Sequence, residues 1–454
     1  MKKIVSILSF ALLVNVYAVT TDSLTLDEAL TLLKNDNLEI KAAKFDVESA
    51  KKDTEAVQGK NWGKLTFTQD MARSNDAGNV FGFKLTSREA TFGDFGFGDP
   101  SVPPQTDPAF LTTPPNRLNY PGYRNFFQSK LKYEVPLFTG FMLSSYTDIM
   151  KKMQKIKSLD KDKIRAQKEY ELKKSFYDMA LLNSSIENLQ KILDNIHILE
   201  DMTKEMIAVG YAKKVDLLEV QAKEGNVERL LVQMNSNKKL LYHYISFLLN
   251  KKIDHIQAPV LEVAMPKMNN EEILSKNIDL KKALTGLKIT KDMLKVSQAA
   301  FYPTLGAFGE ISTADETFLG DANDHKAYTI GARLSWNFFD GGIDRAKIEK
   351  SKIEKLKMHS QVELAKKGIL LKIAKIRTEI EGVDVEIASL KKELELANAI
   401  YENYESRYKE KLVSMSDVII KQSAQIEKIL QLQIAKNKRT EKILALEKLA
   451  NGEN

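Results

Sequence analysis

Apolar side chains recur every three or four residues from Ile373 through Ile376, Ile380, Val383, Ile387, Leu390, Leu394, Ala397, Tyr401 and Tyr404 to Tyr408. This seven-residue period predicts one long amphipathic helix. On a helix of about 3.6 residues per turn it also predicts left-handed supercoiling against a partner. Subtracting 201 from each number gives Leu172, Ser175, Met179, Leu182, Ile186, Leu189, Leu193, Ile196, Glu200, Thr203 and Ile207. Eight of those eleven positions are again apolar, so the two stretches share packing geometry as well as composition.

The repeated unit runs from Gly140 to Asn250 and again from Gly341 to Asn451. Between Gly140 and Ile207 there is neither proline nor internal glycine. That predicts a helical rod on the order of 100 Å long. Val209-Gly210-Tyr211-Ala212-Lys213-Lys214-Val215-Asp216-Leu217 breaks the first rod before a second helical run. Glycine tolerates the positive φ of a helix end, and Asp216 suits the start of the helix that follows.

Upstream of each rod the period changes to two. Phe127, Ser129, Leu131, Tyr133, Val135 and Leu137 alternate with Gln128, Lys130, Lys132 and Glu134. Tyr328, Ile330, Ala332, Leu334, Trp336 and Phe338 do the same in the second half, and residues 65–71 and 305–311 supply a preceding strand each. Each strand is about the length that crosses a bilayer when tilted, and aromatics gather at the ends nearest the helices, as in interfacial girdles. A two-layer soluble domain with an aromatic core would show the same alternation. Four strands with one oily face leave two unpaired edges that lipid cannot satisfy, and a single-chain barrel needs about eight strands or more. A barrel therefore requires copies of the chain.

Thr25 and Glu28 stand in capping-box spacing ahead of a first helix reaching about Gly59. Asn37–Lys41 matches Asn277–Lys281 and Trp62 falls on Tyr302, both at an offset of 240. The offset drops to 201 at Gly140, so the first half carries 39 extra residues. These fall in a stretch rich in glycine and proline, 75–122, whose composition predicts a loop. Within it Phe81-Gly82-Phe83-Lys84-Leu85 fits a short strand or a turn.

Composition narrows the function. The 68 basic and 61 acidic residues are interspersed, which fits solvated helix faces and argues against a nucleic-acid partner. No cysteine is present, which excludes disulfides and thiolate chemistry. Lys2, Lys3, the apolar run 4–16 and Val16-Tyr17-Ala18 read as a secretory leader cleaved after Ala18. The five histidines show no metal-ligand spacing, no hydrolase or zinc-protease motif occurs, and no cofactor is expected.

The leader, the tandem unit of helix, hairpin and long helical pair, and the turn from Val209-Gly210 through Asp216-Leu217-Leu218-Glu219-Val220-Gln221 resemble the TolC-type outer-membrane efflux proteins. The resemblance covers essentially the whole mature chain. It implies a mixed α/β membrane protein with four transmembrane strands per protomer. Three copies would form a twelve-stranded β-barrel in the outer-membrane lipid, continued by a twelve-helix α-barrel across the periplasm. The implied segments are a signal peptide at 1–18, a periplasmic helix at 19–62, a hairpin with a long extracellular loop at 63–139 and a helical pair at 140–250. A connector at 251–276, a second periplasmic helix at 277–302, a hairpin at 303–340 and a helical pair at 341–451 complete the chain. The turns near 209–217 and 408–418 would form the periplasmic tip.

The resemblance further implies a passive exit duct for efflux or type I secretion, opened by a periplasmic adaptor coupled to an inner-membrane transporter. Asp216, Tyr408, Lys411 and Asp417 are its candidate tip residues, and Gly210, Tyr211, Lys213 and Lys214 its candidate adaptor contacts. Tyr408 matches a tyrosine that helps close the tip in the family, and Asp417 is kept. Lys411 replaces the usual glycine, Val413 stands where that tyrosine's arginine partner is found, and Ile420 stands where some members carry a second aspartate ring. By position alone either aspartate serves as a helix cap or as a gate. The competing architecture is a secreted trimeric coiled-coil structural or adhesive protein, which has no use for aromatic-edged strands.

Overall fold

The computed structural model describes residues 23–259, 263–320 and 324–450. The leader at 1–18 and the repeat end at Asn451 lie outside the described residues. In chain order the elements are α1 (Leu26–Asp36), α2 (Leu38–Gly59), β1 (Lys64–Ser74), α3 (Ala77–Thr86), α4 (Asn116–Asn119), β2 (Arg124–Phe138), α5 (Met142–Ala208) and α6 (Lys214–Leu249). There follow α7 (Asn270–Lys276), α8 (Ile278–Gln298), β3 (Thr304–Asp315), β4 (Lys326–Ser335), α9 (Ile343–Lys409) and α10 (Met415–Ala450). Helices α5 and α9 are both 67 residues long, α6 and α10 both 36, and every end of one pair lies 201 residues from its counterpart. Among the described residues no helix is long and apolar enough to cross a membrane.

The chain divides into two compact units. The first comprises the described residues within 1–46, 158–282 and 363–454. Its core is the heptad seam: Leu172, Met179, Leu189, Ile196, Ile373, Ile380, Val383, Tyr401 and Tyr408 are all buried. Each such aliphatic side chain contributes about 1.5–3 kcal/mol by leaving water. The offsets persist at the level of single hydrogen bonds. Asn37, between α1 and α2, donates from Nδ2 to the Leu248 carbonyl at 2.8 Å and accepts from the Ile40 N–H at 3.0 Å. Asn277, between α7 and α8, donates to the Leu449 carbonyl at 3.0 Å and accepts from the Leu280 N–H at 3.1 Å. Each asparagine caps one helix and ties off the end of another, which explains why a non-helical residue interrupts the pattern at both places. The stretch at 251–276 is not connector throughout, because a capping box between Asn269 and Glu272 starts α7 within it.

The second unit comprises residues 47–157 and 283–362. Its sheet is antiparallel in the order β1-β2-β3-β4. Cross-strand partners share a face. Leu65 with Tyr133, Phe67 with Leu131, and Ile311 with Tyr328 therefore lie on one side, and all six are exposed. Thr66 with Lys132 and Glu310 with Thr329 lie on the other. Strand β4 ends at Ser335, so Trp336 and Phe338 fall beyond the ladder.

The stretch from 75 to 122 is more ordered than a loop. Asp76 accepts from the Asn79 N–H at 3.0 Å and starts α3, which turns Phe81-Gly82-Phe83-Lys84-Leu85 into helix instead of strand or turn. Phe81 meets Phe95 edge-on at 4.9 Å. The Asp99 carboxylate accepts from the Ser101 N–H at 2.9 Å and the Arg117 N–H at 3.0 Å. Glycine and proline here set turns inside a small folded piece.

Candidate functional site at the helical turns

The turn from α5 to α6 is a Schellman motif. Gly210, at φ +80°, donates its N–H to the Ile207 carbonyl at 3.0 Å, and Tyr211 donates to the Met206 carbonyl at 2.8 Å. The turn from α9 to α10 repeats both bonds 201 residues on, from Lys411 to the Tyr408 carbonyl and from Leu412 to the Arg407 carbonyl, each at 2.9 Å. Lys411 takes glycine's place at φ +63°. A side chain in that region costs about 1–2 kcal/mol. The same lysine lays its Nζ 3.7 Å from the centre of the Tyr211 ring, a cation–π contact between the two turns. At an exposed site such a contact recovers about 0.5–1 kcal/mol.

Neither aspartate is itself the cap residue. Asp216 occupies the third position of α6, and its Oδ2 accepts from the Lys213 N–H at 2.7 Å. Asp417 occupies the third position of α10 and forms a full capping box. Its Oδ2 accepts from Ser414 Oγ at 2.6 Å and the Ser414 N–H at 3.1 Å, while its own N–H donates to Ser414 Oγ at 3.2 Å. The Ser414 hydroxyl and then its N–H hold the Asp417 carboxyl below its ordinary value of 3.8. Helix-capping thus occupies both carboxylates. Lys213 and Lys214 are exposed at the opening of α6.

Tyr408 is buried and reaches across to the first repeat. Its hydroxyl lies 3.3 Å from Thr203 Oγ1, and the Thr203 hydroxyl donates to the Leu199 carbonyl at 2.7 Å. Tyr408 is therefore the donor of the pair. Burial first, and then the Asp216 charge, raise its pKa above the ordinary 10.0. Tyr408 and Thr203 sit among Leu199, Val220, Met415 and Val418, the apolar core of the four-helix end. The structure thus brings Tyr211 to Lys411 and Tyr408 to Thr203; each aspartate serves its own helix.

Three features of this end escape sequence reasoning. Thr203 is one, although a polar residue on a mostly apolar seam is a signal in itself. Glu219 is another: it accepts a hydrogen bond from Ser416 and so joins α6 to α10. The third is Gln422, buried on α10 with neither side-chain amide atom hydrogen-bonded.

Residues 270–452 match the family model described as Outer membrane efflux protein. That stretch, less than half of the chain, is similar to the outer membrane efflux protein domain. The fold of the chain is that of solved outer-membrane channels. CusC superposes with a TM-score of 0.77 at 12% identity over 94% of this chain and 92% of that one. The outer membrane protein VceC from Vibrio cholerae superposes with a TM-score of 0.75 at 14% identity, covering 94% and 96%. The open state of the Neisseria gonorrhoeae MtrE outer membrane channel gives 0.74 at 13%, covering 94% and 89%. No curated protein sequence matches the chain. The outer membrane efflux protein family comprises outer-membrane channel proteins rather than enzymes, which agrees with what the resemblance implies.

Proposed function

We propose that three copies of this chain close a twelve-stranded barrel in the outer membrane, continued by a twelve-helix tunnel, and that the assembly is the exit duct of a tripartite efflux or type I secretion system. One observation carries the reading: the sheet has one apolar face exposed to its surroundings and one polar face, with β1 and β4 each paired on one side only among the described residues. In lipid, unpaired strand edges cost several kcal/mol for each group left without a partner. Joining β4 of one copy to β1 of the next removes every edge. It also turns the apolar side to lipid and the polar side to a water-filled interior.

The turns at 209–217 and 408–418 form the closed inner end on this reading. Tyr408 on Thr203 and Lys411 on Tyr211 hold one copy's helical pairs together there. A periplasmic adaptor docking on the exposed face of Gly210, Tyr211, Lys213 and Lys214 would separate those pairs and so couple the duct to an inner-membrane transporter. Planar-bilayer recording of the purified mature protein tests this directly. Discrete single-channel steps are expected, and their absence from correctly folded protein would contradict a duct.

A further inference from the structure

We propose that the 75–122 insert folds into the barrel and constricts its outer mouth. This rests on the barrel reading above. Parity along β2 decides which face of the sheet the insert covers. Phe126 pairs with Ala72 and Arg124 with Ser74, in the same unbroken register that pairs Thr68 with Lys130 and Thr66 with Lys132. Alternation puts Phe126 and Arg124 on the polar face, opposite Leu65, Phe67 and Tyr133. The insert is fastened to those two residues. Phe83 of α3 stacks on Phe126 with ring centres 4.3 Å apart and planes 11° apart. Arg124 donates from Nη2 to Ser87 Oγ at 3.2 Å and to the Glu89 carboxylate. Its Nη1 donates to Glu316 at 2.9 Å, in the turn that follows β3.

One arginine, its side chain 11% exposed, thus joins the insert to both hairpins, and Val80 of α3 and its C-cap Ser87 are buried. An insert that merely extended the hairpin outward would leave the polar face open at this end. Here α3 covers it instead. A barrel that turns its apolar side to lipid carries α3 on its inner wall, and three copies bring three such helices to one mouth. The consequence is a size filter at the outer end, in series with the inner one and independent of it. Solutes large enough to need the full bore would be hindered on entering from outside.

The chain contains no cysteine, so single reporters can be placed without background. Lys132→Cys reports on the inner face and Ile330→Cys on the outer face, each in intact cells treated with a small charged thiol reagent or a polymer-linked maleimide. In the full-length chain the small reagent should label Lys132→Cys readily and the polymer should label it slowly. Replacing residues 77–119 with a short Gly-Ser turn should speed polymer labelling about tenfold or more, equivalent to about 1.4 kcal/mol of access barrier. Phe83→Ala combined with Arg124→Ala, which releases α3 at full chain length, should act in the same direction if the deletion fails to assemble. Equal polymer rates in assembled full-length and released forms would overturn the proposal. Water-soluble reagent reaching Ile330→Cys but not Lys132→Cys would instead overturn the barrel reading beneath it.

Discussion

Lys411 lies over Tyr211, its ammonium 3.7 Å from the ring centre, so the two helical turns of the chain touch through side chains that the other copy lacks. The backbone beneath Lys411 is the left-handed one that Gly210 adopts in the first copy. Cost and gain at this residue are therefore separable. Lys411→Gly should relieve about 1–2 kcal/mol of backbone strain while giving up about 0.5–1 kcal/mol of cation–π attraction, for a small net stabilisation. Lys411→Ala keeps the strain and loses the contact, so it should destabilise by about 0.5–1 kcal/mol. Amide hydrogen exchange across 408–418 measures both, and a destabilising glycine would show that the contact outweighs the strain.

Thr203 and Tyr408 should respond asymmetrically. Thr203→Val strands the buried tyrosine hydroxyl with no acceptor, at about 1–3 kcal/mol. Tyr408→Phe should cost less, because the Thr203 hydroxyl keeps its bond to the Leu199 carbonyl. The double substitution should resemble Tyr408→Phe rather than the sum of the two. Denaturant titration in detergent gives the order of the three variants. In bilayers, Asp216→Ala with Tyr408→Phe should raise single-channel conductance, and unchanged conductance at normal assembly would mean that closure lies elsewhere.

The repeat and its dimensions are legible in the sequence because heptads and turns are local. The 201-residue offset read from the sequence holds residue for residue between the ends of the two long helical pairs. Asn37 and Asn277 are legible as a matched pair at the 240-residue offset, but the sequence reads one helix to about Gly59 and the break at Asn37 shows only in the fold. What is not legible is any feature decided by a distant surface. Glycine and proline between 75 and 122 announce turns, but only the Phe83–Phe126 and Arg124 contacts determine the face on which those turns close. At the turns, aspartate at a helix start is readable, whereas the pairing of Tyr408 with a threonine 205 residues away is not.

Acid should loosen the α10 start and the insert together. Both Asp417 and Asp99 are held below the ordinary 3.8, Asp99 at about 2 through the Ser101 and Arg117 N–H groups. A depressed carboxyl contributes fully above its unfolded value and loses that contribution as pH falls through its folded one. Exchange protection at both 414–417 and 99–117 should hold down to about pH 4 and decline below it, at 99–117 as pH falls towards about 2. Protection that is flat across this range would rule out the two carboxylates as local fasteners.

The three-copy barrel is tested most directly by the mass of the purified mature protein in detergent, with bound detergent subtracted by multi-angle scattering. The account predicts a stable particle of three chains that precipitates when detergent is removed. Loss of the β4 strand should abolish that particle rather than weaken it, because the ring can no longer close. A monodisperse monomer or dimer that stays in solution without detergent would contradict the account.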